Sequence, residues 1–298
     1  MNEIENNHNA LAIGARIRIS LSSLSNTERR IIEWMMTKGN IQSKTSIKEV
    51  AQKLNVSEPL LVKVAKKVGY SGFRELRSAL ISYFDVLPFD KEQEISENDN
   101  IHDLVDKVFN SSVQALKEAQ SIVDHNIIVQ AADWVMNAQH VVIFGVGGSA
   151  TVGEDFEHKL LRIGLHSHTY SDYHLMMMVA SQLTEHDVII AISQSGNTTE
   201  VCNAAQIAKN QGAKIICITN NHQAELAEIS HLSIFSPARN GPILGQNAVA
   251  RIIQLTLLDV LFIAMITKDY GGTKIKLERS IDAVRPLHGK SHKSEGIT

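Results

Sequence analysis

The sequence predicts an α/β protein: a five-stranded, parallel, doubly wound sheet preceded by a small all-α unit that carries a helix-turn-helix. Three observations carry this. Five short apolar runs, at 141–144, 165–170, 188–192, 214–219 and 231–236, alternate with helical stretches at 149–163, 172–183, 198–211, 224–229 and 247–267. Such alternation with short connections implies a parallel sheet with helices on both faces. The first 86 residues show helical spacing only, punctuated by capping boxes. Charge divides along the same line, with 13 Lys/Arg against 8 Asp/Glu in residues 1–86 and 16 against 24 in the remainder. A basic front on an acidic body points to a polyanionic partner for the front half.

Length and composition bound the rest. A chain of 298 residues is long for one domain, and 44% apolar residues suffice for two cores. Cys202 and Cys217 sit in apolar surroundings without motif spacing, which reads as buried thiols in a reducing compartment. The polar, acidic start at 1–10 carries no signal peptide pattern. The segment 252–266 includes Gln254 and Asp259 and falls short of the ~18 residues a span requires, so it reads as a buried helix. The expectation is a cytoplasmic protein with no membrane partner.

In the front unit, helical spacing runs over 16–38, with Ser25-Asn26-Thr27-Glu28 in capping-box form. Ser46-Ile47-Lys48-Glu49 is a second box. Ala51 supplies a small residue at a helix crossing, Asn55 tolerates left-handed geometry at a turn, and Val50, Leu54, Val56, Leu61 and Val64 supply the contact. Pro59 is compatible with the first turn of the second helix. Its outer face then presents Ser57, Glu58, Val62, Lys63, Lys66 and Lys67, the spacing of a helix that enters a major groove. The bland alternative is a three-helix cap with a solvated Lys face. Arg74 and Arg77 on the next helix are candidate phosphate clamps. The expected units are 11–86, a charged aperiodic linker at 87–100, a second domain at 101–270 and a tail at 271–298. The second domain opens on a helix whose stripe of Ile101, Leu104, Val105, Val108, Phe109, Ser112, Val113 and Leu116 reads as core, with a dimer seam as the alternative.

The chemistry concentrates at two strand ends. The first strand runs into Gly145-Val146-Gly147-Gly148-Ser149, and the third into Ser193-Gln194-Ser195-Gly196-Asn197-Thr198. If the strand order is 2-1-3-4-5, both loops leave the sheet where its order reverses, the place where such sheets bind ligands. Hydroxyls of Ser149, Ser193, Ser195 and Thr198, with two helix N-termini, suit a phosphomonoester held by neutral donors. The candidate ligand residues are therefore Gly147, Gly148, Ser149 and the six from Ser193 to Thr198, with His174 at the rim. Neither loop contains a Lys or Arg, and there is no Walker spacing. A dinucleotide reading of the glycines, with Asp172 on a ribose, leaves the serine loop without a purpose. His166 and His168 lack a third metal ligand at a telling spacing. No metal or cofactor is expected.

With both halves read, the chain resembles the RpiR family of bacterial transcription regulators. The resemblance covers about residues 11–267 and rests on 47–54, Val56-Ser57-Glu58, Lys66-Lys67-Val68-Gly69-Tyr70-Ser71-Gly72-Phe73 with Leu76, Gly145 to Ser149, and Ser193 to Thr198. Lys63 stands where the family pattern often has Arg, and lysine lacks the bidentate fork. The family couples a helix-turn-helix to a sugar isomerase (SIS) domain. The resemblance thus implies a homo-oligomeric, non-enzymatic regulator, more a repressor than an activator, with operator DNA and a phosphosugar effector as partners. It is nearest the ribose/allose-phosphate type, with amino-sugar phosphates as the alternative effector class. The rival reading is an aldose-ketose isomerase with His174, Glu154 or Glu157 as its base.

Overall fold

In a computed structural model, residues 3–87, 95–238 and 245–288 are described; part of the expected linker therefore lies outside the described residues. The front unit consists of α1 (Glu3–Ser20), α2 (Asn26–Met35), α3 (Ile47–Leu54), α4 (Glu58–Lys67) and α5 (Phe73–Val86). Both capping boxes form: Ser25 and Glu28 exchange hydrogen bonds at the start of α2, as do Ser46 and Glu49 at α3. Asn55 closes α3 at φ +52°, the left-handed turn that asparagine tolerates. A core of Ile31, Ile32, Met35, Val50, Leu61, Val64, Leu76 and Leu80 fills the space between the helices.

The back unit begins with α6 (Ile101–Gln120) and α7 (His125–Met136). Strands β1 (Val141–Gly145), β2 (Ser167–Tyr170), β3 (Val188–Ile192), β4 (Lys214–Thr219) and β5 (Leu232–Phe235) alternate with α8 (Gly148–Arg162), α9 (Tyr173–Ala180), α10 (Thr199–Asn210) and α11 (Glu225–Ile229). The sheet is all parallel, as the sequence predicts, and its order is β2-β1-β3-β4-β5, the one that brings both loops to the reversal. β1 and β3 are buried along their whole length, which is why they read as unbroken apolar runs. One face of the sheet packs on α7, α8 and α12 (Gly245–Lys268), the other on α9, α10 and α11.

Three expectations change. The α6 stripe is core only in part: Leu116 packs on the back core, but Ile101 is 76% and Phe109 68% exposed, and Val105 and Val113 also face outward. The buried face of α6 carries Gln114, Ala115, Glu118 and Ala119 instead. The apolar segment near the C-terminus is longer than expected, with 20 residues, Val249–Lys268, apolar enough to cross a membrane by length and composition. Its inner face of Ile253, Leu257, Leu258, Leu261 and Met265 lies in the core of the back unit. The expected tail continues as α13 (Tyr270–His288).

The two units meet at a buried polar knot. The Arg18 guanidinium of α1 pairs with the Glu118 carboxylate of α6 through both Nε and Nη2. The Tyr83 hydroxyl of α5 and the Gln114 amide donate to the same carboxylate at 2.7 and 2.8 Å. Burial alone would raise the Glu118 carboxyl; the Arg18 charge and these hydrogen bonds outweigh it and hold the group ionised, below its ordinary range. Gly14 lets the helices approach, since a Cβ there would lie 2.8 Å from both Glu118 and Tyr83. A second contact joins His222 Nδ1 to the Ile19 carbonyl at 3.1 Å.

Candidate functional site

Gly145 pairs with Ile192 at the ends of β1 and β3, so the two expected loops leave the sheet side by side. Gly147 caps α8 at φ +59°, a conformation that disfavours a side chain. Gly145 has no room for one: its Cβ would lie 2.9 Å from the Ser149 backbone. The glycines therefore serve to set the first turn of α8 directly on the strand end.

The second loop is a web of its own hydroxyls. Ser193 is buried, and its Oγ lies 2.8 Å from Thr198 Oγ1 and 3.5 Å from Ser195 Oγ. It also accepts from the Gly196 N–H at 3.0 Å, while Ser195 Oγ accepts from Asn197 N–H at 3.2 Å. Asn197 Oδ1 accepts in turn from the Glu225 N–H. Gly196 sits at φ +68° against Ala224 and Thr219, where an added Cβ would overlap both. Thr198 occupies the N-cap of α10 without capping it through its side chain. Its hydroxyl turns to Ser193 instead, so the helix N-terminus opens directly onto the hydroxyl cluster. Below, the Cys202 thiol donates to the Gly196 carbonyl. Burial, aided by nearby Glu225 and Cys217, pushes that thiol up to about 11, so it stays protonated and acts as a prop.

A polar cleft lies where the loops face α12. Gly148, Ser149 and Gln194 line it from the loops, and Arg251 and Gln254 from the helix. Arg251 approaches closely, its Cδ 3.4 Å from where a Gly148 Cβ would stand. Gln254 donates from Nε2 to Gln194 Oε1 at 3.3 Å. His174 is exposed in the first turn of α9 and does not line this cleft. Ser195 and Asn197 are exposed. Sequence reasoning gave Gln254 no part in the site; its one signal was a lone amide interrupting an apolar helix.

Several candidates have structural duties. Asp172, weighed as a ribose ligand, caps α9 by accepting from Leu175 N–H. Glu157, weighed as a base, accepts from Thr169 N–H at 2.7 Å and pairs with His168 at 3.0 Å, which ties it to β2. Among the described residues no group of His, Cys, Asp and Glu is arranged to hold a metal ion.

On the front unit, Ser57, Glu58, Lys63 and Lys66 are exposed on or beside α4, with Val62 half-buried between them. Lys67 donates to Glu28 at 2.7 Å, and Lys63 lies 3.7 Å from the same carboxylate. Burial would raise Glu28; the hydrogen bonds from Lys67 and Ser25 outweigh it and hold it at about 2. Arg77 donates to the Thr45 carbonyl at 2.7 Å, bracing the approach to α3, whereas Arg74 points outward. Lys67 and Arg77 are thus engaged within the fold, and Lys66 and Arg74 stand clear on its surface.

Comparison with known proteins accounts for both halves. Residues 12–86 match the helix-turn-helix domain of the rpiR family, and residues 135–264 match the SIS domain. The chain is 40% identical over 276 residues to the HTH-type transcriptional regulator RpiR of Escherichia coli (strain K12), covering 91% of this chain and 92% of that one. It is 28% identical over 267 residues to the HTH-type transcriptional regulator HexR of Pseudomonas aeruginosa, covering 90% of each. The solved structure of the Vibrio vulnificus NanR protein complexed with ManNAc-6P superposes with a TM-score of 0.59 at 25% identity, over 93% of this chain and all of that one. The chain belongs to the RpiR family of transcriptional regulators, a helix-turn-helix DNA-binding domain joined to a SIS domain.

Proposed function

We propose that this regulator represses a sugar-catabolic operon and is controlled by a phosphosugar held between the Gly147–Ser149 and Ser193–Thr198 loops. In this reading the phosphate takes the hydroxyls of Ser193, Ser195 and Thr198 and the α10 N-terminus. The sugar reaches toward Ser149, Gln194 and Arg251, with His174 at the outer rim. The observation that carries it is the hydroxyl cluster in front of an α10 N-terminus that no side chain caps. The NanR relative, complexed with ManNAc-6P, supports a phosphosugar as the ligand class. Ribose or allose phosphate and amino-sugar phosphates are the effector classes to test.

DNA recognition falls to α4, with Ser57, Glu58, Val62 and Lys63 toward base edges and Lys66 and Arg74 toward phosphates. Residues 11–86 form the reader and 101–270 the sensor, with 87–100 between them and 271–298 as an extension. Two or four copies place reader pairs on a near-palindromic operator. The exposed α6 stripe of Ile101, Val105, Phe109 and Val113 suits a seam between copies.

A thermal-shift panel of pentose, hexose and amino-sugar phosphates, paired with operator gel shifts, tests the reading. The Ser193→Ala/Ser195→Ala variant should lose the response to the phosphosugar and keep operator binding. Loss of operator binding with the sugar response intact would overturn the division of labour. Turnover of any sugar phosphate in the panel would favour the isomerase.

A further inference from the structure

We infer that His222 is the residue through which occupancy of the Ser193–Thr198 loop reaches the DNA-reading unit, by way of its hydrogen bond to the end of α1. The inference rests on the phosphosugar reading and adds to it the route by which the ligand is reported.

The serine loop cannot take a phosphate unchanged. Ser193 Oγ lies 2.8 Å from Thr198 Oγ1 and 3.5 Å from Ser195 Oγ, and each hydroxyl has a single proton to give. Protons turned toward a phosphate are withdrawn from these mutual bonds, so the loop readjusts. The end of β4 has no slack to absorb that. Gly196 stands so close to it that an added Cβ would lie 2.6 Å from Thr219 Oγ1. Hydrogen bonds tie the two segments together: Asn220 N–H to the Gln194 carbonyl at 3.1 Å, Leu226 N–H to the Gly196 carbonyl at 2.9 Å and Glu225 N–H to Asn197 Oδ1 at 3.1 Å. Buried Asn221 locks the turn between them, its N–H donating to Thr219 Oγ1 and its Oδ1 accepting from Gln223 N–H. Residues 194–197 and 219–226 therefore move as one block.

His222 belongs to that block. Its Nδ1 lies 3.1 Å from the Ile19 carbonyl. A carbonyl only accepts, so Nδ1 carries the hydrogen. Ile19 is in the last turn of α1, where carbonyls lack partners within the helix, and His222 thus caps α1 from the other unit. α1 transmits a displacement well. Its Ile13 and Ile17 are fixed in the front core, and Arg18, next to Ile19, is held by the polar knot. Its Arg16 lies over the Tyr70 ring, 6.0 Å from the centroid, and Tyr70 N–H donates to the Ala65 carbonyl of α4 at 3.0 Å. A shift at the end of α1 thus reaches the helix assigned to DNA through Arg16 and Tyr70.

The test is a coupling cycle on the full chain. A DNA duplex selected by the native protein from a random-sequence pool is titrated with and without saturating sugar phosphate, using whichever of ribose 5-phosphate, allose 6-phosphate and ManNAc-6P binds. The ratio of the two duplex Kd values is the coupling factor, about 5–150-fold in switches of this kind. His222→Leu removes the donor and should bring the factor below about twofold, while the sugar-phosphate Kd measured without DNA stays within about threefold of native. His222→Asn keeps an N–H donor at the same distance from the backbone and should retain most of the coupling. A factor unchanged in His222→Leu, or lost equally in both variants, overturns the inference. Amide hydrogen exchange gives a second readout that needs no substitution. Saturating sugar phosphate should change the protection of residues 16–24 in the native protein; constant protection there while duplex affinity changes also overturns it. A native protein that binds none of the three sugar phosphates, or binds one without a change in duplex affinity, strikes the effector reading itself, and the inference falls with it. Binding and coupling both untouched by His222→Leu remove the inference alone.

Discussion

Glu118→Ala should cost this protein about 3–5 kcal/mol, the loss expected when one partner of a buried ion pair is removed. The structure supports a large value. Arg18 is only 6% exposed, and Glu118 is completely buried. Truncation removes two bonds from the guanidinium, one from Tyr83 and one from Gln114, and leaves a cation enclosed between two units. The two tryptophans make the assay direct, since Trp34 packs in the front core and Trp134 in the back core. Urea unfolding, followed by fluorescence in Trp34→Phe and Trp134→Phe backgrounds, reports each core separately. Glu118→Ala should lower both midpoints and pull them apart, because the knot is what joins the cores. The Arg18→Met/Glu118→Met pair removes both charges together and should recover most of the loss. A single variant within about 0.5 kcal/mol of the native protein, or a pair as damaged as the single, would refute the reasoning; changes of that size are ordinary for surface sites.

Gly196→Ala should destabilise the protein by about 2–4 kcal/mol, combining left-handed strain with overlap against Ala224 and Thr219; an unchanged melting temperature would contradict the loop geometry. Lys66→Ala should flatten the salt dependence of operator binding by about one phosphate's worth of slope without altering the melting temperature, as read by gel shifts over a salt series. Lys67→Ala should also lower stability, because it strips a partner from buried Glu28; equal melting temperatures for the two lysine variants would place Lys67 outside the fold's own network. The Glu28 carboxyl, held at about 2 against an ordinary value of 4.5, binds its proton more readily in the unfolded chain. Its contribution is whole above about pH 4.5 and vanishes as pH falls toward 2, so Glu28→Gln should flatten the acid limb of the Trp34 transition and leave stability at pH 7 lower. An acid limb unchanged by Glu28→Gln would contradict that assignment.

Much of this protein can be read locally. Capping boxes need only Ser25 with Glu28 and Ser46 with Glu49, three residues apart, and both form. The left-handed turn at Asn55 depends on one residue's tolerance of positive φ. Alternating strands and helices imply the parallel sheet, because handed crossovers leave few topologies open, whereas the pairing itself decides the order β2-β1-β3-β4-β5. The serine loop was legible for the same reason: Ser193, Ser195 and Thr198 satisfy one another within six residues.

What escaped was set by partners distant in the chain. Amphipathic spacing alone marks Ile101, Val105, Phe109 and Val113 as the buried stripe of α6, yet the helix turns Gln114 and Glu118 inward. The reason is Arg18, one hundred residues away, which makes a buried carboxylate tolerable and leaves the apolar stripe facing out. Lys67 looked free because its acceptor Glu28 lies 39 residues upstream, and Gln254 looked incidental because Gln194 lies 60 residues before it. Short-range spacing, hydropathy and turn chemistry thus determined the five strands, the helices between them and the two loops from sequence alone. Only the tertiary structure decided which polar groups are paired, since a buried charge or amide is stable only beside a partner that folding brings to it.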